Sequence, residues 1–149
     1  MLLFTLPKDE WITIADTTLK EEVASLEFTT DINGNPFECK RIIFQCVVSS
    51  GLQNTETWKL HVYSTESATR GNAHINKSCY GCMLDSDVIP SIKCIRHRGG
   101  GYSAGDMGSW QEVLKYRANG TANFTRYGVY AQNYNFPVNA RIRVWGLKA

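Results

Sequence analysis

The stretch Val23 to Val48 constrains the fold more than any other part of the chain. Its first half alternates Ala24, Leu26 and Phe28 with Ser25, Glu27 and Thr29, the period-two pattern of a half-buried strand. Its second half, Phe37 to Val48, is a long run with β-branched and aromatic residues at positions of both parities. Between them lies Asp31-Ile-Asn-Gly34. Asn-Gly accepts the positive φ angles of a tight turn at little steric cost. The expectation is therefore a β-hairpin of two core strands.

The remaining pattern is also strand-like. Trp11 to Ile14 alternates, Trp58 to Ser64 alternates cleanly, Ile92 to His97 resumes the period after Pro90, and Asn139 to Gly146 closes the chain as a strand. Residues 1–10 have no period and read as an arm or a first edge strand. Thr18-Leu-Lys-Glu21 fits a capping box and predicts one helical turn. Thr65 to Ser78 reads as a loop or weak edge segment, Cys79 to Leu84 is short and ambiguous, and Trp110 to Arg117 fits a helix or a strand. The Ala118-Asn-Gly-Thr121 turn signal favours the strand, in a hairpin with Ala122 to Thr125. Arg98 to Ser109 holds five of the twelve glycines and predicts a long loop, because ordering glycine carries the largest entropic cost. About eight or nine short strands with little helix predict an all-β, antiparallel β-sandwich of jelly-roll type. No repeat or linker divides residues 1–149, so a single domain is expected.

The totals narrow the function classes. Sixteen basic residues against fourteen acidic ones, scattered along the chain, give no nucleic-acid signature. No apolar stretch approaches the roughly 20 residues of a membrane span, and Met1-Leu-Leu-Phe lacks the basic start and long apolar centre of a signal peptide. Five cysteines, irregularly spaced, are too few for a disulfide scaffold and read as reduced thiols. Cys39 and Cys46, among apolar neighbours, read as small core residues.

Chemistry-bearing motifs are sparse. Cys79-Tyr-Gly-Cys82 is a CxxC pair that reads first as structural thiols. The alternatives are a redox pair or half of a zinc site completed from Cys94 and His97, with His74 as a further ligand. Glu38, Asp85, Asp87, Asp106 and Glu112 could supply a carboxylate pair for glycoside hydrolysis, but nothing in their spacing singles out two of them. No nucleophile motif accompanies the three histidines, and no cofactor is implied. Four tryptophans, seven tyrosines and six phenylalanines are more than a small core requires. Tyr102, Trp110, Tyr127, Tyr130 and Tyr134, with Asn133 among them, suit sugar faces; the alternative, which is favoured, is that these rings fill the sandwich core or a subunit interface. The loop from Arg96 to Trp110 is the expected ligand site, with Arg96, Arg98, Tyr102, Asp106 and Trp110 as its binding residues.

Two terminal stretches carry a resemblance. Leu19 to Phe37 contains an acidic-Val-x-x-Leu strand and a D-x-x-G turn, and Asn135 to Gly146 ends in P-x-x-x-x-I-x-V-x-G. Together they resemble small virion or tail-associated proteins of bacteriophages and prophages of gut Firmicutes, which are jelly-roll or carbohydrate-module-like β-sandwiches. The resemblance implies a non-enzymatic particle component, folded in the host bacterial cytoplasm and assembled into the virion. It implies a homo-oligomer contacting other virion proteins, with a host cell-surface glycan as a possible ligand. The alternative, from another class, is a carbohydrate-active enzyme or its secreted accessory module.

Overall fold

The computed structural model describes residues 10–48, 58–64, 71–75, 80–103, 106–107, 111–116, 123–131 and 135–149. Eleven strands are present among them: β1 (Trp11–Thr18), β2 (Ser25–Phe28), β3 (Cys39–Val47), β4 (Trp58–Ser64), β5 (Gly71–Ile75), β6 (Gly81–Ile89), β7 (Cys94–Ser103), β8 (Asp106–Met107), β9 (Gln111–Tyr116), β10 (Tyr127–Ala131) and β11 (Arg141–Lys148). The described helix content is one 3-10 turn, Pro90–Ile92, closed by Lys93 at φ 52°.

The larger sheet runs β1-β11-β3-β6-β7-β8, with β9 also paired to β7, and the smaller runs β2-β10-β4-β5. Every pairing is antiparallel. The orders β1-β11-β3-β6 and β2-β10-β4-β5 are those of an eight-stranded jelly roll. Strands β7, β8 and β9, inserted between β6 and β10, widen one sheet. The fold is thus the expected antiparallel sandwich, with an added edge.

One core joins the layers. Ile42, Phe44 and Cys46 from β3, Leu84 from β6, Ile95 from β7 and Ile142 and Val144 from β11 meet Tyr127 and Val129 from β10, and all are essentially inaccessible. The alternation in β3 decides this: Arg41, Ile43 and Gln45 stay partly exposed while their neighbours are sealed. Phe44 meets Phe136 edge-on with centroids 6.0 Å apart, and Phe124 meets Tyr127 at the same separation, the geometry that aromatic quadrupoles favour.

Three expectations are corrected. The Val23 to Val48 stretch is not a hairpin, because β2 and β3 lie in opposite sheets. The turn exists, but it is a corner between layers. Asp31 Oδ1 accepts from the amides of Asn33 (2.8 Å) and Asn35 (3.0 Å), Gly34 N donates to Asp31 O at 3.0 Å, and Gly34 alone in the turn has positive φ, 84°. Space around Gly34 is open, so only its dihedral resists a side chain. Gly34→Val is therefore expected to cost about 1–2 kcal/mol, read as a Tm lowered by roughly 3–8 °C; an unchanged Tm would remove the assignment. The helical turn at Thr18 to Glu21 is absent. Thr18 ends β1, and the Leu19 backbone is taken up by Asn139 and Ala140 at 2.8 and 2.9 Å.

The third correction concerns the glycine-rich segment. Arg98 to Ser103 is strand, and Gly99, Gly100 and Gly101 are buried within β7. Strand β5 of the opposite sheet comes within 8 Å of β7, Cα to Cα, closer than the roughly 10 Å normally separating stacked sheets. Residues without side chains permit that approach. β9 is a strand, as the turn signal favoured, and it pairs with β7; the expected turn at Ala118 to Thr121 lies outside the described residues.

Cys39 and Cys46 are core thiols, as expected. Burial is the main influence on Cys39 and pushes its pKa up to about 11 from 9.0. Its folded pKa exceeds the unfolded one, so this contribution to stability is complete below about pH 9 and is lost as pH rises through about 11. Burial raises the Tyr127 phenol as well, reinforcing the alkaline loss. Urea unfolding midpoints should fall steadily across this range; a flat profile would contradict the sealed positions.

Candidate functional site

The outer face of the large sheet gathers the charged residues that its strands cannot bury. Register places Arg41 opposite Asp87 and Ile43 opposite Asp85 on β3 and β6, then Asp87 opposite Arg96 and Asp85 opposite Arg98 on β6 and β7. Asp85 is gripped from both sides. Arg41 donates from Nε to Oδ1 at 2.9 Å and from Nη2 to Oδ2 at 2.7 Å, while Arg98 Nη2 donates to Oδ2 at 2.8 Å. Arg96 holds Asp87 in the same two-pronged way, at 2.9 and 2.8 Å. Such planar forks fix geometry as well as charge.

The ladder continues toward β1. The Arg41 guanidinium lies 5.8 Å from the Trp11 ring centroid, within cation–π reach, and its hydrogen bond to Asp85 raises its pKa further above the usual value. Leu147, between Trp11 and Arg41 in the register, is buried outside the main core. Farther along, Asp16 pairs with Arg141 and Arg143 at 3.3 and 3.7 Å. Along this face the guanidiniums of Arg41, Arg96, Arg98, Arg141 and Arg143 meet the carboxylates of Asp16, Asp85 and Asp87, and the register sets Glu112 of β9 opposite Arg98. Trp11 stands 44% exposed at its edge and Trp145 is half-buried on it.

The expected site residues fall partly here. Arg96 and Arg98 are on this face, on a strand and not on a loop, and both are engaged with aspartates. Tyr102 lies at the end of β7 and Asp106 on β8, in adjoining pairs of a tight hairpin, Tyr102 with Met107 and Ser103 with Asp106. Trp110, Asn133 and Tyr134 lie outside the described residues, as does Cys79. Tyr127 is a core residue, as the favoured reading of these rings has it. Trp11, Arg41 and Asp85 were not predicted as a unit. Only long-range strand register unites them.

The zinc set does not assemble. Cys82 is opposite Gly101, whereas Cys94 is opposite Ile89, seven residues along β6 and so about 23 Å away at strand rise. Cys94 Sγ instead donates to Ile92 O at 3.3 Å. Among the described residues no group of three His, Cys, Asp or Glu side chains could hold a metal.

His97 has a different role. Its Nδ1 lies 2.8 Å from Ser86 Oγ, which lies 2.9 Å from the Tyr127 hydroxyl. The chain runs from β7 through β6 to β10 and ties the two sheets across the core. A Ser–His contact has the reach of a nucleophile and its base, but Ser86 and His97 are sealed at 0% and 5% exposure. His97 Nδ1, the Ser86 hydroxyl and the Tyr127 hydroxyl thus satisfy one another's buried polarity.

Asp85 and Asp87 are also two of the five carboxylates that a glycosidase could use. Each oxygen of each is held by a guanidinium, which leaves them built for position. Glu38 accepts from Asn123 Nδ2 at 3.1 Å. A half-open pocket of about 330 Å³ beside the Asp31 corner is lined by Ile12, Phe37, Glu38 and Lys148, among others; Lys148 already donates to Glu10 at 2.9 Å.

In comparisons with known proteins, the chain matches no protein-family model and no curated protein.

Proposed function

We propose that this protein is a non-enzymatic structural module of a phage or prophage particle, which uses the outer face of its large sheet to bind a neighbouring subunit or a host cell-surface glycan. The observation that carries the reading is the guanidinium-rich ladder edged by Trp11. Tryptophan and arginine are the residues most enriched where interfaces hold their binding energy, and an aromatic ring beside fixed polar groups also suits a sugar face. The guanidiniums favour a partner carrying carboxylate or phosphate groups. A jelly roll and its terminal motifs accord with a particle component, and the free thiols with folding in a bacterial cytoplasm.

The purified chain should either self-associate in sedimentation or bind an anionic glycan on an array or on whole cells. That association should weaken as salt rises, because exposed charges are screened. Trp11→Ala should weaken it roughly tenfold or more, as loss of a hot-spot tryptophan does, with Tm nearly unchanged. Binding that is insensitive to both salt and Trp11→Ala would remove this face. Loss on Tyr102→Ala or Trp110→Ala alone would place the site at the β7–β9 end instead.

A further inference from the structure

The guanidiniums of the outer face are not equally engaged. Arg41 and Arg96 each close a two-pronged fork on an aspartate, and Arg141 donates from Nε and Nη2 to Asp16 at 3.3 Å. Arg143 differs. Its Nε lies 3.7 Å from Asp16 Oδ1, too far for a hydrogen bond, and that Nε is shut off from water without an acceptor. The side chain as a whole is 35% exposed, which leaves its Nη groups toward solvent with their donors unspent. Arg98 Nε is unpaired as well, but Arg98 Nη2 is committed to Asp85.

Register sets two indole rings beside Arg143. Trp145 stands two residues along on the same face of β11, about 6.8 Å away at strand rise. Trp11 pairs with Leu147, which makes it the diagonal neighbour of Trp145 across β1 and β11, at about 7–8 Å. Trp11 is 44% exposed and Trp145 half-buried. The three residues form a track along the β1 edge of the large sheet, with steps comparable to those between sugar units of an extended chain.

We infer, resting on the reading of the outer face given above, that this track binds a carboxylated polysaccharide. Sugar rings lie on Trp11 and Trp145, and Arg143 receives a carboxylate through two parallel N–H···O bonds. Chemistry and size both select this occupant. The C–H faces of sugars need flat rings, and a carboxylate needs a guanidinium that is not already forked. The track is two strands wide, enough for a chain one sugar across, whereas a stable protein contact takes about 800 Å² a side. Asp16 keeps its hydrogen bonds to Arg141, so engaging Arg143 strips no carboxylate of its donor.

The full chain is titrated calorimetrically with polygalacturonate, alginate and polysialic acid. Methyl-esterified polygalacturonate keeps the sugar and removes the charge. At least one carboxylated chain should bind, and the ester should not. Arg143→Gln and Trp11→Ala should each weaken binding roughly tenfold or more, with Tm nearly unchanged, and Arg143→Lys should fall between the parent and Arg143→Gln. Arg126→Gln removes the same charge beside the smaller sheet, where Arg126 pairs with Glu27, and should leave binding intact. Equal binding of the ester, or equal losses in Arg126→Gln and Arg143→Gln, would overturn the inference. So would no binding of any carboxylated chain; self-association weakened by Trp11→Ala would then leave the outer face standing as a protein interface. Carboxylated chains bound alike by the parent, Trp11→Ala and Arg143→Gln would remove both the track and the face.

Discussion

Gly81→Ala is expected to destabilise the fold by at least about 4 kcal/mol, the range reserved for steric conflicts that the core cannot absorb. Two independent features add. Gly81 has φ 138°, a conformation that L side chains rarely adopt. A Cβ there would also overlap the Cys46 carbonyl oxygen and lie 2.9 Å from Val47 Cα. Both neighbours are backbone of a central strand, so relief requires β3 to move away from β6. Urea denaturation measures the effect, and a midpoint within error of the parent would mean that β6 does not enter the sheet at Gly81 as described. Gly34→Val, where only the dihedral resists, should be much milder.

Asp85→Ala should be the next largest effect, at about 2–3 kcal/mol. Removing one partner of a buried ion pair costs roughly 3–5 kcal/mol because the other charge stays desolvated. The Arg41 and Arg98 side chains are 36% and 33% exposed, so water recovers part of that loss. Asp85→Asn, which keeps one carbonyl acceptor, should fall between the parent and Asp85→Ala. If the outer face is the binding surface, Asp85→Ala also frees both guanidiniums from their fixed orientation and should weaken association beyond its effect on Tm. A change in unfolding free energy under about 0.5 kcal/mol would show that the aspartate is dispensable to the ladder.

The strands visible in the sequence are those whose two faces differ in polarity. From Arg41 to Val47 in β3 and from Arg141 to Gly146 in β11, sealed and open positions alternate, and that alternation is written in the residues. β6 was hidden for the opposite reason. Asp85, Ser86 and Asp87 break any apolar period, yet the strand is central, because Asp85 and Asp87 meet arginines outside while Ser86 meets His97 and Tyr127 inside. Strand polarity there is satisfied by residues from 41 to 127, a distance that no local window spans. The Asn-Gly turn shows a related limit: turn chemistry is local and was legible, but which sheet receives the next strand is decided by distant pairing. The glycines of β7 were misread because their entropic cost was visible and the packing against β5 was not.

The outer-face ladder follows the same logic. Arg96 and Arg98 stand out in the sequence, but the reason they matter, their register with Asp87 and Asp85, depends on a strand that the sequence conceals.

The position of β11 has a kinetic consequence. It lies between β1 and β3, and Trp11 pairs with Leu147 across nearly the full length of the described chain. Until β11 has been synthesised, β1 has no neighbour in its sheet and one edge of β3 stands open. A nascent chain on the ribosome therefore cannot complete the larger layer early, and folding dominated by such distant pairings is slow. During that interval the exposed edge of β3, rich in isoleucine, phenylalanine and cysteine, is where partial folds would stick to one another.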